Sequence, residues 1–267
     1  MRKFRTEIKR IVVKVGSSSI TRENGSIDIE RIEKLAREIS LLKDKGYEVI
    51  LVSSGAIACG ASGFTISEKP TETAQKQAVA SYGQVCLMNN YTKAFSEYDK
   101  KVGQFLFTAE VRDNATMKEN ARNTLDTVIK MGIIPIVNEN DAISNYEIQF
   151  GDNDTLSAHV AEIANADLLV LLSDIDGLFT DDPKKNPEAT LIPEVEALND
   201  ELIAMAKDTD SKVGTGGMAT KIKAAKICMD NGIDMIIANS DDFKNLRKIS
   251  DSEEIGTYFI GKCREIV

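Results

Sequence analysis

The chain has 267 residues, 42% of them hydrophobic and 28% charged, with a formal net charge of −9. That length suits one large α/β domain or two modest ones around a substantial core. The acidic balance disfavours a broad nucleic-acid surface, so any anionic ligand must meet positive charge that is concentrated locally. No apolar run is long enough to cross a bilayer, so no membrane partner is expected. The basic start Met1-Arg2-Lys3-Phe4-Arg5 is not followed by an apolar stretch and a small-residue cleavage site, so no signal peptide is expected. Cys59, Cys86, Cys228 and Cys263 are scattered, and His159 is the single histidine, which argues against a protein-held metal and fits a reducing cytoplasm.

Residues 11–15, Ile-Val-Val-Lys-Val, read as a buried strand, and Gly16-Ser17-Ser18-Ser19 follow it. Lys14 is costly inside such a strand unless it emerges at a site or is paired. A helix is predicted over 28–45, with Ile29, Ile32, Leu35, Ala36, Ile39 and Leu42 on one stripe and Gly46 closing it. A strand at 48–52 leads into Ser53-Ser54-Gly55-Ala56. A strand at 102–107, a helix at 120–131 ending on Gly132 and a strand at 133–137 come next. The last of these runs into Asn138-Glu139-Asn140-Asp141. Residues 141–150 read as a hairpin or lid, and Gly151-Asp152-Asn153-Asp154 then opens a helix through Leu156, Val160 and Ile163. A strand at 168–173 ends in Ser173-Asp174-Ile175-Asp176-Gly177-Leu178. Residues 179–193 are loop-like and 208–217 are polar and glycine-rich. A helix at 220–231 and a strand at 234–238 complete the pattern.

Strand and helix alternation predicts an α/β fold: a three-layer αβα sandwich with a mainly parallel central sheet. With no internal repeat or low-complexity linker, a single domain over 1–267 is expected, in two lobes of about 1–165 and 166–267. In open parallel sheets ligands bind beyond the carboxyl ends of the strands, where glycine turns let backbone N–H groups approach an anion. Each loop taken alone is also compatible with ordinary turn or cap chemistry. The two Asn/Asp clusters supply acceptors for an ammonium and donors for a carboxylate, as an amino-acid ligand needs. Gly214-Thr215-Gly216-Gly217-Met218-Ala219-Thr220-Lys221 matches G-x-G-x-x-G/A in letters. No strand precedes it, so the dinucleotide reading fails, yet glycine N–H groups, a helix start and Lys221 can converge on phosphate there. His159, flanked by Ala158 and Val160, reads as a satisfied helix histidine.

Together these segments resemble the amino acid kinase family, from about Lys9 to the end of the chain, which implies the carbamate kinase-like form of the fold. The pairing of Asn138-Glu139-Asn140-Asp141 with Gly151-Asp152-Asn153-Asp154 is similar to members that phosphorylate the side-chain carboxylate of L-glutamate, the first step of proline biosynthesis. By that resemblance Lys14 and Lys221 contact the transferred phosphoryl group and Asp154 holds both lysines. Ser54, Gly55, Asn138, Asp141 and Asn153 bind glutamate in the N-terminal lobe. Lys14, Ser173, Asp174, Thr215, Gly216, Gly217, Met218, Ala219, Thr220 and Lys221 bind ATP, largely through the C-terminal lobe. ATP is the co-substrate, with Mg²⁺ carried mainly by the nucleotide. The resemblance also implies proline as a feedback inhibitor, a homo-oligomer (dimer or tetramer) and hand-over of a labile product to glutamyl phosphate reductase. Ser173 stands where threonine is more usual, and Asp176 where an uncharged or basic residue is frequent. A C-terminal PUA domain, common in bacterial members, is not expected. Two other readings are a kinase of the same fold acting on another acidic metabolite, and a non-catalytic ATP or amino-acid sensor.

Overall fold

The computed structural model describes residues 1–22, 24–64, 72–144, 152–183, 185–199, 202–203 and 217–262. Eight strands, β1 (Arg10–Val15), β2 (Glu48–Ser53), β3 (Val102–Phe107), β4 (Ile134–Glu139), β5 (Leu168–Ser173), β6 (Glu194–Val195), β7 (Asp234–Asn239) and β8 (Thr257–Phe259), form one sheet in the order β3-β4-β2-β1-β5-β7-β8-β6. All neighbouring pairs are parallel except β7 with β8. The central strands are apolar along their length because both faces of the sheet are covered. Alternation along β1 divides the core: Val12 faces one side with Leu169 and Ile237, while Ile11, Val13 and Val15 face the other.

The Val12 side is covered by helices α6 (Ala115–Lys130), α7 (Asn153–Ile163) and α8 (Met218–Asp230), through Leu125, Leu156 and Ala225. The opposite side is covered by α2 (Ile29–Asp44), α3 (Ala56–Gly63), α4 (Thr73–Ser96) and α9 (Asn245–Ser250), through Leu35, Cys59, Tyr91 and Leu246. Two single-turn helices, α1 (Ser17–Ile20) and α5 (Glu110–Asp113), sit in connections. The three-layer αβα sandwich expected from the sequence is therefore the architecture found. Among the described residues no helix is long and apolar enough to cross a membrane.

Several boundaries differ from expectation. The strand expected at 133–137 runs to Glu139, because Asn138 and Glu139 stay in the ladder opposite Leu106 and Phe107. The helix expected to start at 120 starts at Ala115, where Asn114 caps it by accepting from the Met117 N–H at 3.0 Å. The helix expected from 220 starts at Met218. Helices α3 and α4 have no counterpart in the sequence reading. They cross at glycines: a Cβ on Gly83 would lie 1.8 Å from the Ala56 carbonyl oxygen and 2.5 Å from the Gly60 nitrogen. Gly83→Ala must push α3 off α4, an overpacking cost of about 1–3 kcal/mol. We expect a melting temperature lowered by several degrees; an unchanged value would mean that the crossing yields freely. Of the hairpin or lid expected at 141–150, the described part, 141–144, is a turn, and 145–150 lie outside the described residues.

Candidate active site

Strand register sets out the site. Val15 pairs with Ser53 on one side and Leu172 on the other, so Ser54, Gly16 and Ser173 leave the carboxyl edge in one row after β2, β1 and β5. Adjacent strands are about 4.8 Å apart, which puts Ser54 and Ser173 roughly 10 Å from each other with the β1 turn between them. Helices α7 and α8 each run back towards the start of the next strand, so their N-termini also lie at this edge.

Two positions beyond Val12, Lys14 faces the same side and meets the first turn of α7. Its Nζ is 2.6 Å from Asp154 Oδ1, and Lys221 Nζ, from the first turn of α8, donates to Asp154 Oδ2 at 3.2 Å. Thr220 Oγ1 donates to the same Oδ2 at 2.8 Å. All three charged side chains are buried, at 10%, 6% and 1% exposure for Lys14, Lys221 and Asp154. Burial alone raises the Asp154 pKa, but the charges of Lys14 and Lys221, with the hydrogen bonds of Lys14 and Thr220, outweigh it and bring it to about 2. The result is one carboxylate bracketing two cations. Helix α8 begins on Gly217 with no side-chain cap and no acid in its first turn, so its first N–H groups are available to an anion.

The polar clusters take different parts. Asp152 is the N-cap of α7, accepting from the Thr155 N–H at 2.7 Å and Thr155 Oγ1 at 2.9 Å, and burial is the main force raising its pKa. Asn153 Nδ2 donates to Ser54 Oγ at 2.8 Å, to Asn138 Oδ1 at 3.0 Å and to the Ser53 carbonyl at 3.3 Å. Gly55, at φ 108°, makes the left-handed turn that starts α3 behind Ser54. Asp141 lines a separate cavity of about 230 Å³ together with Ala56, Gln84, Gln104, Leu106 and Glu139. Burial pushes its pKa up to about 6. Ser54 and Asn153 do not line that cavity; they connect to it through Asn138, whose Nδ2 donates to Gln84 Oε1 at 2.9 Å. Gln77, also on α4, donates to the Ser144 carbonyl at 3.0 Å and so ties the turn after Asp141 to the same helix.

On the other flank Ser173 Oγ donates to Asp174 Oδ1 at 3.0 Å, and Asp176 accepts from Asn239 Nδ2 at 2.8 Å, which links the loop after β5 to the end of β7. Met218, Ala219, Thr220 and Lys221 lie on the first turn of α8. Thr215 and Gly216 lie outside the described residues. His159 Nδ1 is 3.2 Å from Glu162 Oε2 within α7. Sequence reasoning missed Gln84. The signal was a polar residue on the stripe of Ala80, Leu87 and Tyr91, which becomes visible only once α4 is known to be a helix.

A carboxylate organising two lysines, uncapped N–H groups beside them and no histidine base at hand together suit a phosphotransferase whose acceptor is already an anion. The amino acid kinase family model matches residues 9–239. A glutamate 5-kinase of Clostridium perfringens is 50% identical over 99% of this chain and 100% of that protein. Others, from Carboxydothermus hydrogenoformans (50%, over 99% of this chain and 71% of that protein) and Lactococcus lactis (47%, over 97% of each), are similar. The chain belongs to the amino acid kinase family, and within it to the group that these glutamate 5-kinases form. Solved structures agree on the fold. A UMP kinase from Bacillus anthracis aligns with a TM-score of 0.64 at 19% identity, over 97% of this chain and 98% of that one. A carbamate kinase from Giardia lamblia bound to AMP-PNP aligns at 0.66 and 18%, over 95% and 99%.

Proposed function

We propose that the protein transfers the γ-phosphoryl group of ATP to the side-chain carboxylate of L-glutamate, giving γ-glutamyl phosphate at the entry to proline biosynthesis. The observation that carries this reading is Asp154 holding Lys14 and Lys221 at the carboxyl edge, between the Ser54–Asn153 cluster and the Ser173–α8 flank. A glutamate side chain with a pKa near 4.3 is ionised at neutral pH, so no general base is needed. The barrier is electrostatic, because an anion attacks an anionic phosphate. Two ammonium groups and the α8 N–H groups lower it by meeting charge that develops in flight. Strands β1–β4 and their loops form the glutamate lobe, and β5–β8 with α8 the nucleotide lobe, within a single domain.

Mg²⁺, arriving on the nucleotide, supplies further charge neutralisation on the phosphates. Both oxygens of Asp154 already face ammonium groups, so this residue organises lysines rather than ligating metal.

Asp141 meets the substrate ammonium. Its removal should cost about 2 kcal/mol or more of binding, which is roughly a 30-fold rise in glutamate KM with little change in the ATP KM. Because its pKa sits near 6, protonation below that value removes the charge the ammonium needs. The glutamate kcat/KM of the wild type should therefore fall as pH drops through about 6, and Asp141→Ala should abolish that limb. A profile identical in both proteins would remove Asp141 from the acceptor site. Substrate choice itself is tested by ADP release with L-glutamate, L-aspartate and phosphorylated metabolites. Turnover specific to glutamate is expected, and preference for another acceptor would overturn the assignment.

A further inference from the structure

Two hydroxyl groups lie fully buried behind the carboxyl edge. Ser53, the last residue of β2, has its Oγ 2.7 Å from the hydroxyl of Tyr91 on α4. The same Oγ is 2.9 Å from the Ser54 carbonyl oxygen, which can only accept. Ser53 therefore gives its one proton to the Ser54 carbonyl, and Tyr91 donates to Ser53. Alternation along β2 puts Leu51 and Ser53 on the α4 side of the sheet, while Val52 and Ser54 face the α7 side. The Ser54 carbonyl is thus drawn to the α4 side. In a trans peptide the following N–H points the opposite way, so the Gly55 N–H is directed to the α7 side, where Lys14 meets Asp154. Among the described residues nothing accepts from that N–H.

This peptide has an alternative setting. Turning it over takes Gly55 from φ 108° to roughly −70°, and glycine permits both, so the backbone at that residue does not choose. Among the described residues the Ser53 hydroxyl is the one donor to the Ser54 carbonyl. We infer that Ser53 is a positioning residue for phosphoryl transfer: its hydroxyl, backed by Tyr91, keeps the Ser54–Gly55 peptide turned so that the Gly55 N–H faces the reacting charge. The inference rests on the reading of this edge as the transfer site. Turned over, the peptide presents the Ser54 carbonyl, with its partial negative charge, to an anionic acceptor and an anionic phosphate.

The test joins kinetics to a crystal structure. Ser53→Ala with Tyr91→Phe removes both hydroxyls, so no buried Tyr91 hydroxyl is left unpaired; Ser53→Ala alone serves should the double variant not fold. We expect kcat to fall about tenfold, the scale of one net hydrogen bond holding the productive setting, with glutamate and ATP KM within about twofold of wild type. Tyr91→Phe alone keeps the Ser53 bond to the carbonyl, and its kcat should stay within about twofold of wild type. The crystal structure of the double variant should show the 54–55 peptide turned over. Wild-type kcat without the Ser53 hydroxyl, a loss that appears only in the KM values, an equal kcat loss in Tyr91→Phe, or an unturned peptide would each overturn the inference. Wild-type protein lacking glutamate-dependent turnover would instead sink the transfer-site reading itself, before any variant is made.

Discussion

Asp154→Asn is expected to lose both turnover and stability, with kcat lowered by roughly 10²–10³-fold and the fold weakened by about 3–5 kcal/mol. The substitution preserves shape and removes one charge. In the wild type that charge is shared by Lys14 at 2.6 Å and Lys221 at 3.2 Å, both buried. An asparagine presents one oxygen and one N–H₂, so residue 154 no longer offers an acceptor to each ammonium and no longer carries the charge that balances them. With that charge gone the two ammonium groups repel each other and lose the geometry that aims them at a phosphoryl group in flight. The pH dependence of stability follows from the same carboxylate. Its folded pKa, about 2, lies below the value of an unfolded aspartate. Its contribution is therefore fully present above about pH 4 and is lost as pH falls towards 2. In Asp154→Asn that acid limb of the stability curve should be absent. Denaturant melts at several pH values read the stability effect. A variant with wild-type stability and turnover would show that the lysines need no organiser.

Lys221→Ala should separate the two effects. We expect kcat to fall by roughly 10²–10³-fold, about 3–4 kcal/mol of transition-state stabilisation, as when a donor to developing charge is removed. Stability should change much less, because Asp154 keeps Lys14 and still accepts from Thr220 Oγ1. A loss confined to ATP KM would make Lys221 a ground-state nucleotide contact rather than a transition-state one. Wild-type turnover would remove it from the mechanism.

How much of this was legible in the sequence depends on what each residue's side chain does for its own element. The strands were legible because β1, β2 and β5 are covered on both faces and must be apolar along their length. Lys14 stood out against that background for the same reason. Helix α2 announced itself by large aliphatics at helical spacing. Helix α4, the longest described, did not, because its buried residues Val79, Leu87, Tyr91 and Phe95 are interspersed with Ala80, Gly83, Gln84 and Ala94. Its small residues are there to let α3 approach, and that requirement belongs to the partner helix. The end of β4 was misjudged because Asn138 and Glu139 look like a turn, although the sheet continues through them. The resemblance named Lys14, Asp154 and Lys221, but only the strand order and the two helix starts bring residues so far apart in the chain to one carboxylate.

The central claim is that two lysines on one aspartate let an already ionised carboxylate attack ATP. It is tested most directly by incubating the purified protein with ATP, Mg²⁺, L-glutamate and hydroxylamine, then measuring hydroxamate. Acyl phosphate formation predicts a hydroxamate that requires both glutamate and ATP, at a level cut by roughly 10²–10³-fold in Lys221→Ala. ADP release without hydroxamate, or hydroxamate undiminished in Lys221→Ala, would contradict it.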